Sequence, residues 1–164
     1  MENPAKVAEI LREIAGLAKE GFPVVLVHGG GKEISALQRS TAVIEFNLNG
    51  EVLTANQRFL NSMGYSLTQI QGKHHRIFCD LAEANSPQYQ RFWDQLRRGE
   101  FATGRFKRLD SHGRVVWLEA TYNPVHDTQD RLYKVVKFAT VITDQVNQEQ
   151  AVAEAANIAY SISQ

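Results

Sequence analysis

Two short stretches of the sequence carry residue types that could bind a ligand, and the first is a glycine-rich turn. His28-Gly29-Gly30-Gly31 follows a short apolar run, and the residues from Lys32 onward can begin a helix. Glycines let backbone amides approach an anion, and the N-terminus of a following helix favours negative charge. The turn therefore predicts anion binding at Gly29, Gly30 and Gly31, or a tight strand-to-helix connection that binds nothing.

Enzymatic uses of this turn lack the residues that they require. A Walker phosphate-binding loop needs Ser or Thr after its lysine, whereas Glu33 follows Lys32. An esterase with such a turn as its oxyanion hole also needs a G-x-S-x-G motif, which is absent from the sequence. No nucleophile, base and orienting group form a recognisable set, so we predict no catalytic residue and a protein that is not an enzyme.

The second stretch is Lys73-His74-His75-Arg76. An imidazole can ligate haem iron, and adjacent histidines point in different directions, so at most one of the pair faces a given pocket. The alternatives are contact with a flavin or another ligand, or a polar turn in which one imidazole bonds to the backbone. A metal site is not predicted, because zinc ligands are spaced along the chain and only Cys79 lies nearby.

The composition is that of a soluble globular domain without a dominant charge. Among 164 residues, 18 are Lys or Arg and 18 are Asp or Glu, so no global field favours nucleic acid or an anionic membrane. A single cysteine excludes an internal disulfide, and no apolar run reaches the roughly 20 residues that span a bilayer. We therefore expect a cytoplasmic protein that binds neither nucleic acid nor membrane.

Changes of pattern divide the chain into residues 1–35, 36–143 and 144–164. The first region combines a helical repeat of apolar residues with the short apolar run before the glycine turn. The last region contains no Lys or Arg and is predicted to be a helix. Its apolar residues recur at three- and four-residue steps and form a heptad seam of Val152, Ala155, Ala159 and Ile162. Such a seam predicts pairing with a second helix.

The middle region is predicted to be α+β. Two strands joined at Asn49-Gly50 come first, followed by helices that begin near Asn56, Ser66 and Ser86. Three longer strands are predicted at residues 101–109, 114–122 and 132–142. This order favours an antiparallel sheet with a cluster of helices on one face.

The middle region also resembles the PAS family of sensory domains. AVIEFNLNGEVLTANQRFLNSMGYSLTQIQGKHHRIF is similar to the opening of that family, with a hairpin, an "AN..F" helix, "GY" and a "GK" turn. FATGRFKRLDSHGRVVWLEATYNPV and LYKVVKFATVITDQV are similar to its last three strands and their exit. The resemblance is strongest to soluble bacterial chemoreceptors of energy taxis and biofilm dispersal. It implies a PAS fold, with a five-stranded sheet between flanking N- and C-terminal helices, that acts as a sensory input module.

The resemblance implies where a ligand and a partner would bind. PAS domains bind ligands between the sheet and the helices. The implied pocket residues are His74, His75, Phe78, Trp93, Trp117 and Asn123. Haem or FAD is the implied cofactor. An equally plausible alternative is a domain that binds no cofactor and acts as a dimerisation module, in which these aromatic residues belong to the hydrophobic core. The implied partners are a second copy of the chain, a small-molecule ligand and a downstream chemotaxis signalling domain.

Two positions depart from the family pattern. Flavin-binding PAS domains carry an arginine–histidine pair where counting from Gly72 gives Cys79 and Asp80. The family exit reads Asp-Ile-Thr, whereas this chain has Val141 at the aspartate position. The carboxylate that couples the sheet to the following helix is therefore missing, and Asp144 is the nearest substitute.

The first region has a different resemblance. KVAEILREIAGLAKEGFPVVLVHGGGKEIS is similar to a piece of the amino-acid kinases of the acetylglutamate kinase group. In those enzymes an HGGG turn helps to hold substrate and phosphate. The rest of that fold has no counterpart in the sequence, so the resemblance implies a fused, kinase-like fragment without kinase activity.

Overall fold

The computed structural model of the chain describes residues 41–163. These residues form one five-stranded sheet, five α-helices and a 3₁₀ helix. The strands are β1 (Ala42–Phe46), β2 (Val52–Ala55), β3 (Ala102–Leu109), β4 (Val115–His126) and β5 (Leu132–Val141). The helices are α1 (Gln57–Met63), α2 (Leu67–Ile70), the 3₁₀ helix (His75–Phe78), α3 (Leu81–Ala84), α4 (Pro87–Arg97) and α5 (Thr143–Ile162).

The sheet is antiparallel throughout, in the order β2-β1-β5-β4-β3. Successive side chains of a strand point to opposite faces, so β1 sends Ile44 and Phe46 to one face and Val43 to the other. We call the face that packs against α1 to α4 the inner face, and the opposite one the outer face. Tyr122 of β4 and Lys137 of β5 are direct neighbours on the inner face.

Local side-chain bonds explain where the first elements begin and end. The Asn47 Oδ1 atom accepts hydrogen bonds from the amides of Asn49 and Glu51, and Gly50 takes φ +83°, which closes the predicted Asn-Gly turn. Asn56 caps α1 by accepting from the Phe59 amide at 3.0 Å. The same oxygen accepts from the Val43 amide at 3.0 Å, which ties α1 to β1.

The hydrophobic core fills the space between the inner face and the helices. Its largest fully buried apolar or aromatic members are Tyr122, Phe46, Phe59, Phe78, Ile44, Met63, Ile70, Leu96, Leu118 and Val52. Burying each such side chain contributes about 1.5–3 kcal/mol. A helical cluster made of short segments is therefore held mainly by its contacts with the sheet, because helices of four to seven residues are unstable alone.

Helix α5 begins against the outer face and then leaves it. The Trp117 amide donates to Thr143 Oγ1 at 3.0 Å, and the Ile142 amide donates to the Trp117 carbonyl at 2.8 Å. Arg105 of β3 bonds to Glu149 at 2.8 Å. From residue 147 to residue 163 every side chain of this segment is exposed. None of the helices within residues 41–163 is long and apolar enough to cross a membrane.

The predicted α+β fold, with a five-stranded antiparallel sheet and helices on one face, is confirmed. The strand predicted to end at Tyr122 continues to His126, and the 3₁₀ helix and α3 occupy a stretch in which no helix was predicted. The predicted N-terminal helix, the glycine turn at residues 29–31 and the kinase-like fragment lie outside the described residues. The division at residues 35 and 143 remains a prediction.

Candidate functional site

The candidate site lies between the inner face and the helical segments, with His75 at its centre. His75 is the first residue of the 3₁₀ helix, which begins after His74 because the His74 Nδ1 atom accepts from the Arg76 amide at 3.1 Å. The His75 amide donates to the Gly50 carbonyl at 2.7 Å, which fixes the segment to the first hairpin. The His75 side chain is consequently held inside the domain with no exposed surface.

A continuous chain of hydrogen bonds passes through the His75 ring. Nδ1 lies 2.9 Å from the Tyr89 hydroxyl of α4, and Nε2 lies 3.0 Å from the Tyr122 hydroxyl of β4. Arg108 of β3 donates to the Tyr122 oxygen at 3.4 Å and to the carboxylate of Glu83 in α3 at 3.0 Å. We call these five residues the polar chain; it joins two helices and the 3₁₀ helix to two strands.

The direction of each bond in the polar chain follows from which groups can only donate. Arg108 has no acceptor, so the Tyr122 oxygen accepts from it. If the Tyr122 proton does not go to His75 Nε2, a buried hydroxyl hydrogen is left without a partner, which costs about 1–3 kcal/mol. Nε2 therefore accepts, and Nδ1 carries the hydrogen that it donates to the Tyr89 oxygen.

Aromatic rings enclose this imidazole on several sides. The ring centre of His75 lies 5.3 Å from that of Phe46, 5.5 Å from Trp93 and 5.7 Å from Tyr122. Tyr122 in turn lies 4.8 Å from Phe92. Haem or flavin could enter between these rings only by displacing several of them from this arrangement. Both His75 nitrogens are also already engaged, so iron ligation there would break a hydrogen bond.

Burial controls protonation inside the site. Burial, followed by the positive charge of Arg108, holds the pKa of His75 well below its usual value, so the ring is neutral. Burial likewise raises the pKa of Tyr122 to about 12 and that of Cys79 to about 11. Lys137 has only 1% of its surface exposed, and its pKa is lowered well below the usual range, first by burial and then by Arg108.

The structure brings four of the six predicted pocket residues together. His75, Phe78 and Trp93 are buried on the inner side, and His74 lies at its edge, with its ring centre 6.0 Å from that of Trp93. The other two, Trp117 and Asn123, point to the outer face. The Asn123 amide donates to Thr121 Oγ1 and to the Val136 carbonyl there. Cofactor binding by the four residues remains a prediction.

Sequence analysis did not identify most members of the polar chain. Tyr89, Tyr122, Glu83 and Arg108 are separated by up to 39 positions, and no spacing rule connects them. A signal was nevertheless present in the strands. Arg108 and Lys137 stand at inner positions of β3 and β5, where an alternating pattern calls for apolar residues. Within the described residues, no group of three or more His, Cys, Asp or Glu could hold a metal ion.

The family comparison agrees with this architecture. A family model described as the PAS fold matches residues 52–139, more than half of the chain. The chain belongs to the PAS family. Among curated proteins, this PAS domain is similar to the biofilm dispersion protein BdlA of Pseudomonas aeruginosa strain PAO1, with 46% identity over 136 residues. The match covers 83% of this chain but only 33% of that protein, so the chain spans about a third of its relative.

Solved structures show the same fold at low sequence identity. An RNA-binding light-oxygen-voltage receptor aligns with a TM-score of 0.62 at 17% identity, over 87% of this chain and 43% of that one. A PAS domain from Colwellia psychrerythraea aligns with a TM-score of 0.60, also at 17% identity, over 69% of this chain and 96% of that one. Identities this low establish the fold and carry no information about ligands.

Proposed function

We propose that this PAS domain is a cytoplasmic sensory input module of a chemotaxis-type receptor, which passes a ligand- or redox-dependent change to its C-terminal helix. The observation that carries this proposal is the double role of strand β3. Arg108 points inward into the polar chain, whereas Arg105 points outward and bonds to Glu149 of α5. A shift of this strand would therefore reach both the interior and the exit helix.

The exposed half of α5 supports a receptor that works as a homodimer. Val152 and Ile162 of the heptad seam are 71% and 80% exposed, and Ile158 and Tyr160 are also exposed. Two such helices would bury their seams against each other, as in a coiled coil. In a longer chain the same pair of helices would continue into a signalling domain. The relative named for biofilm dispersion, which is about two and a half times as long, is consistent with this arrangement.

Sedimentation velocity on the 164-residue protein tests the dimer. We expect a dimer at micromolar concentration, and we expect Val152→Asp to dissociate it because the substitution buries a charge in the seam. Ala153→Asp is the matched control, since it adds the same charge one position away from the seam. A monomer at every concentration, or the same degree of association in both variants, contradicts the proposal that the chain dimerises through this seam.

The filled interior favours a second candidate, a PAS module that dimerises or binds a protein without any internal ligand. Absorption spectra recorded before and after addition of haemin or flavin distinguish the two. A Soret band that is lost in His74→Ala or His75→Ala assigns haem, and the broader blue bands of flavin assign a redox sensor. A spectrum that contains only protein absorption favours a surface ligand or the interaction module.

A further inference from the structure

A cleft of about 410 Å³ opens on the surface beside the polar chain. It lies where the segment of His74 and Arg76 faces helix α4. The lining residues that matter for its chemistry are His74, Arg76, Tyr89, Trp93, Asp94 and Arg97. Tyr89 is thus shared between the cleft and the polar chain.

Two hydrogen-bond donors among the lining residues lack a well-formed bond to an acceptor. The indole N–H of Trp93 is buried and makes no hydrogen bond of good geometry within residues 41–163, although it lies close enough to the Tyr89 oxygen to oppose the rise in the pKa of that hydroxyl that burial causes. Tyr89 accepts from His75 Nδ1, so its own hydroxyl hydrogen remains available. A buried donor without a partner costs about 1–3 kcal/mol, and a bound acceptor would remove that cost.

The charges around the cleft favour an anionic acceptor. Arg97 is oriented by the Asp94 carboxylate at 2.6 Å and by the Leu48 carbonyl at 3.3 Å. Arg76 contacts the His74 ring through Nε at 3.3 Å, and within the described chain no carboxylate lies within 4.0 Å of it. Two arginines and one aspartate line the cleft, so its lining carries a net positive charge.

We propose that this cleft binds a small anion with a carboxylate or phosphate group, whose oxygens accept from the Tyr89 hydroxyl and the Trp93 indole and whose charge is balanced by Arg76. The inference deepens the sensory function proposed above and rests on it. An oxygen bound at Tyr89 polarises the hydrogen bonds from Tyr89 through His75 and Tyr122 to Arg108 on β3. The ligand would thus act from the surface without entering the filled interior.

Two-dimensional ¹H–¹⁵N NMR of the 164-residue protein tests the site, because the chain has only two tryptophans. Inorganic phosphate, acetate and succinate are titrated at constant ionic strength, with chloride as the ionic control. We expect a saturable shift of the Trp93 indole signal and none of the Trp117 signal, which belongs to the outer face. A response to phosphate alone, to the carboxylates alone, or to both identifies the group that is recognised.

The variant comparison is between two arginines. Arg76→Gln is expected to raise the dissociation constant roughly tenfold, the loss that corresponds to one charge-assisted hydrogen bond. Arg91→Gln, an exposed substitution on α4 away from the cleft, is expected to leave it unchanged. No saturable shift with any probe, or equal weakening by both variants, overturns the anion site. Neither result concerns the pairing of α5 helices. Failure of the anion site is therefore distinguishable from failure of the proposed dimeric receptor, which sedimentation tests.

Discussion

Replacing Lys137 by Met is expected to stabilise the domain at neutral pH. The ammonium group lies 4.7 Å from the ring centre of Tyr122 and 6.0 Å from that of Phe59, and within the described residues no carboxylate comes within 4.0 Å of it. Attraction to aromatic rings contributes about 0.5–2 kcal/mol, whereas burying an ammonium ion costs several kcal/mol. Because the cost of desolvation is larger than this attraction, we expect Lys137 to be a neutral amine in the folded protein.

The size of the effect depends on pH in a defined way. The pKa of Lys137 is lowered in the folded state, mainly by burial, and is about 10.4 in the unfolded chain. Between these values the unfolded state binds one more proton, so the free energy of unfolding of the wild type rises with pH. Over the pH range in which Lys137 is neutral in the folded protein and protonated in the unfolded chain, the slope approaches about 1.4 kcal/mol per pH unit.

Urea unfolding followed by tryptophan fluorescence at pH 7, 8 and 9 measures this difference. Lys137→Met removes the titrating group, so its stability advantage over the wild type is expected to be largest at pH 7 and to shrink toward pH 9. Lys107→Met, at an exposed position of strand β3, should keep the slope of the wild type. If the curves of Lys137→Met and the wild type run parallel, Lys137 is charged in the folded protein and the reasoning is wrong.

Three further changes test the packing around the site. Asn56→Ala removes the cap of α1 and its bond to β1, and thermal denaturation should show a loss of about 2 kcal/mol. Gly64→Ala and Gly72→Ala both place a side chain at positive φ. Only at Gly64 does the new Cβ approach another atom, Ser111 Oγ at 2.7 Å. Chemical denaturation should therefore show a larger loss of folding stability for Gly64→Ala than for Gly72→Ala. Cys79 should react with a thiol reagent only after unfolding, because it is buried and its pKa is about 11; rapid labelling of the native protein would contradict this.

Local signals in the sequence were enough for the long elements. Helix α4 was predictable because Ser86 caps it, Pro87 occupies its first position and the aromatic residues recur at helical spacing. The extension of β4 was not, because Pro124 argues against a central strand. The structure resolves this conflict: β3 ends its pairing at Tyr122, so Pro124 lies where β4 has a neighbour on one side only.

The 3₁₀ helix and α3 escaped prediction for a different reason. The 3₁₀ helix and α3 contain four residues each, too few to show a period. They are fixed by capping bonds instead, such as the one that Asp80 Oδ1 accepts from the Glu83 amide at 2.8 Å. Since His75 and Glu83 belong to these segments, the centre of the candidate site was the part of the fold that periodicity describes least well.

The separation of Trp117 and Asn123 from the interior could have been predicted from strand alternation. Both lie an odd number of residues from Tyr122, so the three side chains cannot all share one face of a regular strand. Choosing between the faces needs the register of β4 against its neighbours, which places Leu118, Ala120 and Tyr122 in the core. The large aromatic ring of Trp117 made it a candidate pocket residue. The alternation of side chains along β4 places it on the face opposite Tyr122, outside the pocket.

The replacement of the family's aspartate by Val141 changes how the exit helix is held. Val141 is 46% exposed, and Asp144 is exposed in the first turn of α5, where the helix dipole already favours a carboxylate. The contacts that hold α5 come instead from Thr143, which accepts from the Trp117 amide, and from Glu149, which pairs with Arg105. The Arg105–Glu149 pair lies on the outer face of the sheet. The connection is thereby moved from β5 to β3 and β4, the two strands that also carry Arg108 and Tyr122 of the polar chain.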